Sequence, residues 1–167
     1  FARQKRQTYD AGSTPQLPAV GISWTAAQEY CRGQGKRLPT EAEWERAARG
    51  VEGHAYPWGA QSPQPSLAHF AAAAPIEVDI PLEGATKSGV EHMAGNVSEW
   101  VADWWDPRAY HAASGRNPSG PARGEYRVIR GGSFADPAAA LRATSRSFHT
   151  PMRGSQMIGF RCARTLR

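Results

Sequence analysis

The sequence predicts an α+β domain with much irregular backbone. Two short, well-capped helical segments lie close together near the start, and two short strand-like runs lie near the end. Between them run Pro-, Gly- and Ala-rich stretches without periodicity. At 167 residues the chain fits one domain able to bury a single core.

Residues 1–17 are polar, carry Gly12 and Pro15, and read as an irregular lead-in to a domain over 18–167. Val20-Gly21-Ile22 is a short strand candidate. Ser23 then offers an N-cap oxygen to a helix from Trp24 to about Gly33, in which Trp24, Ala27 and Cys31 repeat at three- and four-residue spacing. Gly33 and Gly35 stop it. Thr40-Glu41-Ala42-Glu43 has the pattern of a capping box, with Pro39 fixing the entry and Gly50 ending the second helix. Glu41, Glu43 and Glu45 suit the positive end of that helix, so a structural role accounts for them.

Residues 60–87, with Pro63, Pro65, Pro75 and Pro81, read as loop. Residues 112–124, with Gly115, Pro118, Gly120, Pro121 and Gly124, form a second loop. Tyr126 to Ile129 and Ile158 to Ala163 are the clearest strands. No repeat of solenoid length occurs.

Composition narrows the function classes. Hydrophobic residues make up 40% and charged residues 21%, ordinary for a globular protein, and no membrane span or signal peptide is visible. The chain begins with Phe1, which reads as a cut or processed start. The net charge of +5 collects at the ends, in Arg3, Lys5, Arg6, Arg161, Arg164 and Arg167. No nucleic-acid-binding motif accompanies these residues, so they read as a solvated basic surface and no nucleic-acid partner is expected. Cys31 and Cys162 have no CxxC neighbour, which argues against a zinc or redox motif. The five histidines (His54, His69, His92, His111, His149) show no HxH or HxxxH spacing and read as surface or core residues.

Four blocks then occur in order. They are Pro18-Ala19-Val20-Gly21-Ile22-Ser23-Trp24 through Tyr30-Cys31; Arg37-Leu38-Pro39-Thr40-Glu41-Ala42-Glu43-Trp44-Glu45 with Tyr56-Pro57-Trp58-Gly59; His92-Met93-Ala94-Gly95-Asn96-Val97-Ser98-Glu99-Trp100 with Asp103-Trp104-Trp105; and Arg130-Gly131-Gly132-Ser133-Phe134 to Gly159-Phe160-Arg161-Cys162-Ala163. Together they resemble the formylglycine-generating (sulfatase-modifying factor) family, over nearly the whole chain. The resemblance implies a C-type-lectin-like fold. It also implies a disulfide between Cys31 and Cys162, where the residues alone fit two buried thiols as well. Such a bridge favours an extracytoplasmic place, periplasmic or secreted; without it a cytoplasmic one is expected.

In the family's active oxidases two cysteines just after Gly-Gly-Ser bind copper(I), soft sulfur suiting a soft ion. Here the stretch reads Ala135-Asp136-Pro137-Ala138-Ala139-Ala140-Leu141, and it is a few residues shorter. No copper is expected, and no catalytic residue is assigned. Ser133 and Arg146 match oxidase active-site positions, but Met157 replaces the amide ahead of Gly159. Ser133, His149 and Asp136 include the residue types of a hydrolase triad, but no nucleophile elbow surrounds the serine.

The family's calcium site carries over to His92, Gly95, Val97 and Glu99. Calcium prefers six to eight hard oxygens, and His92 brings nitrogen, so Glu99 serves a salt bridge equally well. The second calcium loop looks shortened, with His69 in place of an asparagine, and that site is expected to be lost.

Trp24, Trp44 and Trp100 fall at framework positions and are expected in the core; Trp58, Trp104 and Trp105 are the candidates for partial exposure. The ligand-binding surface is expected at Ser133, Phe134, Asp136, Arg146, Phe148, His149, Met152, Arg153 and Gln156, with the Trp104-Trp105 edge. The expected function is a non-catalytic module that binds a protein or peptide through loops 134–157. One alternative is a divergent oxidoreductase of the same family using another metal or cofactor. Another is a retroelement-diversified lectin-like binding protein, since variable residues in those proteins lie in this same cassette.

Overall fold

A small mixed sheet sorts the side chains of this domain into two cores. The computed structural model describes residues 16–112, 115 and 117–165, with backbone alone at 111 and 112. The expected lead-in over 1–17 falls outside the described residues except for 16 and 17, as do Arg3, Lys5, Arg6 and Arg167.

The helices form where local chemistry places them. Helix α1 spans Trp24–Gly33, and the Ser23 side chain accepts from the Ala26 amide. Helix α2 spans Glu41–Arg49 with both halves of the capping box present, and Gly50 follows at φ 64°. Strand β1 is Ser98–Trp104, the short α3 is Ala109–Ala112, β2 is Arg127–Arg130, β3 is Arg146–His149 and β4 is Ile158–Phe160. The sheet order is β3-β2-β1-β4, antiparallel except for the parallel β1–β4 pair.

Three expectations are corrected. Val20-Gly21-Ile22 is not a strand: Gly21 has φ 72°, and its amide bonds to the Ser155 carbonyl at 2.9 Å, outside any ladder. The second expected strand runs from Arg127 to Arg130, one residue later than read, with Tyr126 at its entry. The last strand ends at Phe160, because the chain then turns to pair Ala163 with Arg37 in an isolated bridge. That turn brings Cys162 to Cys31, and the two form a disulfide with Cα atoms 5.5 Å apart at a sequence separation of 131.

Alternation along the strands divides the interior. On one face Trp24, Ala27, Cys31, Leu38, Trp100, Ile129 and Ile158 pack together under α1. On the other, Trp44, Ala48, Met93, Val101, Val128 and Ala143 pack under α2. Each buried indole N–H finds an acceptor: Trp24 donates to Val101 O (2.7 Å), Trp100 to Ile22 O (3.0 Å) and Trp44 to Glu99 Oε2 (2.8 Å). A third small cluster, Ala68, Ala94 and Leu141, lies beneath the irregular segments. Among the described residues no helix is long and apolar enough to cross a membrane.

Candidate functional site

The cassette after β2 begins with two glycines at positive φ, Gly131 at 94° and Gly132 at 71°, a conformation that disfavours residues with a Cβ. Ser133 is fully buried, and both its amide (2.8 Å) and its hydroxyl (2.7 Å) donate to Asp136 Oδ2. The carboxylate therefore closes a local turn. The Phe134 amide donates to Asn96 O, and the Ala72 amide to Phe134 O, both at 2.7 Å. A 3₁₀ turn over Ala138–Leu141 follows, with Leu141 sealed in the core. The stretch expected to correspond to the oxidases' thiols is a tied turn and an apolar plug.

Ser133 donates directly to the acid, with no histidine between them, while His149 stacks edge-on against Trp100 at 5.8 Å. The triad arrangement is thus not assembled. His69 bonds Ala74 O at 2.7 Å, and among the described residues no three His, Cys, Asp or Glu side chains converge on a point that suits a metal.

Arg146 on β3 and Arg130 on β2 are cross-strand neighbours on the α2 side. Arg146 grips Glu41 through Nε (2.6 Å) and Nη2 (2.8 Å), and Arg130 reaches Glu41 (2.9 Å) and Glu45 (2.7 Å). Trp104 stacks with Trp24 around the Arg127 guanidinium, whose carbon lies 3.4 Å and 3.6 Å from the two ring centres. Burial pushes the Arg127 pKa down to about 10. Ser133, Phe134, Arg146 and Trp104, all expected at a ligand surface, thus hold the body of the domain together.

Of the rest of the expected set, Phe148, Met152, Arg153 and Gln156 face outward, while Trp105, Asp136 and His149 are half-buried. Phe148 is 44% exposed and Met152 79%, with Arg153 and Gln156 exposed beside them in sequence. Trp105 (4.8 Å between ring centres) and Tyr126 (5.0 Å) flank Phe148, and Arg146 bridges Trp105 to Tyr110 on α3. Tyr126 and Tyr110 escape sequence reasoning, since only the β2–β3 register and the α3 turn bring them to this edge. The loop bearing Met152 and Arg153 is anchored at its stem. The Trp24 amide donates to Pro151 O (3.1 Å), and a Cβ on Gly154 would lie 2.1 Å from the Gly21 carbonyl carbon.

The block expected to hold calcium is centred on Glu99 and His92. Glu99 lies 5% exposed and receives a bidentate guanidinium from Arg161, with both contacts at 2.6 Å, besides the Trp44 indole. His92 sits at φ 54° with both ring nitrogens buried and unpartnered.

A family profile described as sulfatase-modifying factor enzyme 1-like domain matches residues 1–166. The chain is 38% identical to a formylglycine-generating enzyme of Streptomyces coelicolor, covering 92% of this chain and 54% of that protein. It is 39% identical to the serine/threonine-protein kinase pkn1 of Chlamydia pneumoniae over 89% of this chain and 24% of the kinase. It is 34% identical to the mouse inactive C-alpha-formylglycine-generating enzyme 2, over 89% of this chain and 49% of that protein. The chain thus spans about half, or less, of these relatives. Among solved structures, PvdO from Pseudomonas aeruginosa superposes with a TM-score of 0.78 at 30% identity, covering 92% of this chain and 64% of that one. Treponema denticola variable protein 1 also superposes at 0.78, at 22% identity over 94% of this chain and 74% of its own, a likeness of fold alone.

Proposed function

Because the chain belongs to the sulfatase-modifying factor family, we propose that it is a member without the family's oxidase chemistry, a module that binds a protein or peptide. One observation carries this reading: the chain's only two cysteines are joined to each other in a disulfide. No thiolate is left to hold copper(I), and the Ala135–Leu141 stretch offers one carboxylate, already accepting twice from Ser133, and otherwise alkyl groups. The residues do not fit the copper ion of the oxidases. A relative that carries the word inactive in its name supports the idea that this fold persists without the reaction.

Binding is assigned to the tip Phe148, Met152, Arg153 and Gln156, with Trp105 as an aromatic neighbour. Aromatic and arginine side chains on a rigid base are the groups that anchor protein partners. The base here is held by the buried Ser133 and Phe134 and by the half-buried Arg146 and Trp104, which are tied to Glu41 and stacked on Trp24. The disulfide favours an oxidising compartment, periplasmic or secreted.

A random peptide library displayed on phage and selected against the disulfide-intact domain tests the proposal. Enriched peptides are expected to lose about tenfold or more in affinity for Phe148→Ser or Met152→Ser, the scale of a hot-spot truncation. In parallel, the domain is titrated with copper(I), and oxygen uptake is followed with a cysteine-containing peptide. Stoichiometric copper with sustained oxygen consumption would overturn the reading in favour of a divergent oxidoreductase.

A further inference from the structure

Glu99 lies where the family places a calcium-binding carboxylate, but its two oxygens already accept three N–H groups. Arg161 supplies two of them, through Nε to Oε2 and Nη2 to Oε1, each at 2.6 Å. The same Nη2 reaches on to the backbone carbonyls of Glu91 (3.1 Å) and His92 (3.4 Å) at the start of the block. The guanidinium therefore spans the expected carboxylate and two carbonyls at the entry to the block, other than those of Gly95 and Val97 but of the same type that a divalent ion would collect. A doubly charged ion entering here would meet a cation that is already paired. His92 cannot replace it as a hard ligand, since its polar atoms are nitrogens and both are buried without partners. The block keeps its shape by other means. Asn96 clasps the Ile76 amide (3.0 Å) and carbonyl (3.1 Å), and a Cβ on Gly95 would fall 2.3 Å from the His69 carbonyl oxygen.

We propose that Arg161 is the resident cation of this block: its guanidinium neutralises Glu99 from within the chain, and the domain stays folded without a divalent ion. The ion-free block makes folding independent of the calcium supply, a property that the peptide-binding reading does not require.

The test is thermal unfolding and titration calorimetry of the disulfide-intact protein, first stripped with chelator and then given calcium chloride. The wild-type midpoint is expected to be the same in both. A calcium site filled at a hundred times its Kd would raise the midpoint by roughly 5–10 °C. Such a rise, or heat from one ion per chain, would overturn the proposal. Arg161→Gln is expected to melt lower in chelator and to gain a calcium response, because Glu99 is released. An Arg161→Gln midpoint equal to wild type would also overturn it. If Arg161→Gln does not fold, Arg161→Lys retains the charge and is expected to remain indifferent to calcium; a calcium-dependent midpoint in that variant would count against the resident cation.

Discussion

Asp103 shows how one buried carboxylate shapes the behaviour of the domain. It is 5% exposed in β1, and its Oδ2 accepts from the Glu41 amide at 2.7 Å, so it caps α2 from across the fold. Gly120 crosses close above it, where a Cβ would lie 2.9 Å from Oδ1. Burial pushes its pKa up from 3.8 to about 6; the nearby Glu41 charge adds to this, while the Glu41 amide, Arg127 and Arg146 oppose it. The folded state thus holds this proton more tightly than the unfolded chain does. The stability it contributes is full below about pH 4, falls as pH rises, and is gone above about pH 6. Asp103→Asn retains an oxygen for the Glu41 amide and is expected to lose this slope. Its margin over wild type should grow between pH 4 and 7 by an amount on the order of 2 kcal/mol, read from urea midpoints. A margin independent of pH would refute this account of Asp103. The sequence gives no hint of it, because an acid between Ala102 and Trp104 looks like any surface acid until the strand buries it.

At the scale of elements, α2 is the keystone. Thr40 and Glu43 cap it, as their spacing announces, but Glu41 and Glu45 do more than suit the helix dipole. They turn inward to meet Arg130 and Arg146 from two strands, and Glu45 also takes Arg49 (2.8 Å) and the Tyr110 hydroxyl (3.0 Å). Glu41→Gln would leave two largely buried guanidiniums short of a counter-charge, and breaking such a pair costs about 3–5 kcal/mol. A urea midpoint within error of wild type would exclude that role. The contrast explains what could be read from the sequence. Both helices were legible because capping is local chemistry, with donor and acceptor three residues apart. Strand β1 was not, because it is buried on both faces through its first four residues, so Ser98-Glu99-Trp100-Val101 shows no polar–apolar alternation. Strand β3, four residues of edge rich in polar groups, carries no hydrophobic run. Without β3 the meeting of Arg146 with Glu41, and of Phe148 with Trp105, stays hidden. The expected ligand set therefore mixed interior residues with exposed ones.

Across the whole molecule, the disulfide joins the end of α1 to the segment after β4 and closes most of the described chain into one loop. On the chain-entropy argument a loop of that length restricts the unfolded state enough to stabilise the fold by up to about 5 kcal/mol. The bridge also sits in the core under α1, with Cys31 wholly buried beside Trp24 and Trp100. The same helix carries at its start the amide that holds Pro151, so the stem of the Met152 loop depends on α1 staying docked. Cys31→Ala combined with Cys162→Ala is therefore expected to act at two levels. The melting midpoint should fall by roughly 10 °C, given 2–4 °C for each kcal/mol in a domain of this size. Amide exchange around Thr150–Ser155 should quicken before global unfolding, because the docking surface for that stem is weakened. Calorimetry with and without reductant checks the first, and native-state hydrogen exchange checks the second. If the midpoint fell while exchange at that loop stayed unchanged, the bridge would act on the unfolded chain alone, and the rigidity of the proposed binding tip would have to come from β3 and its arginine clamp.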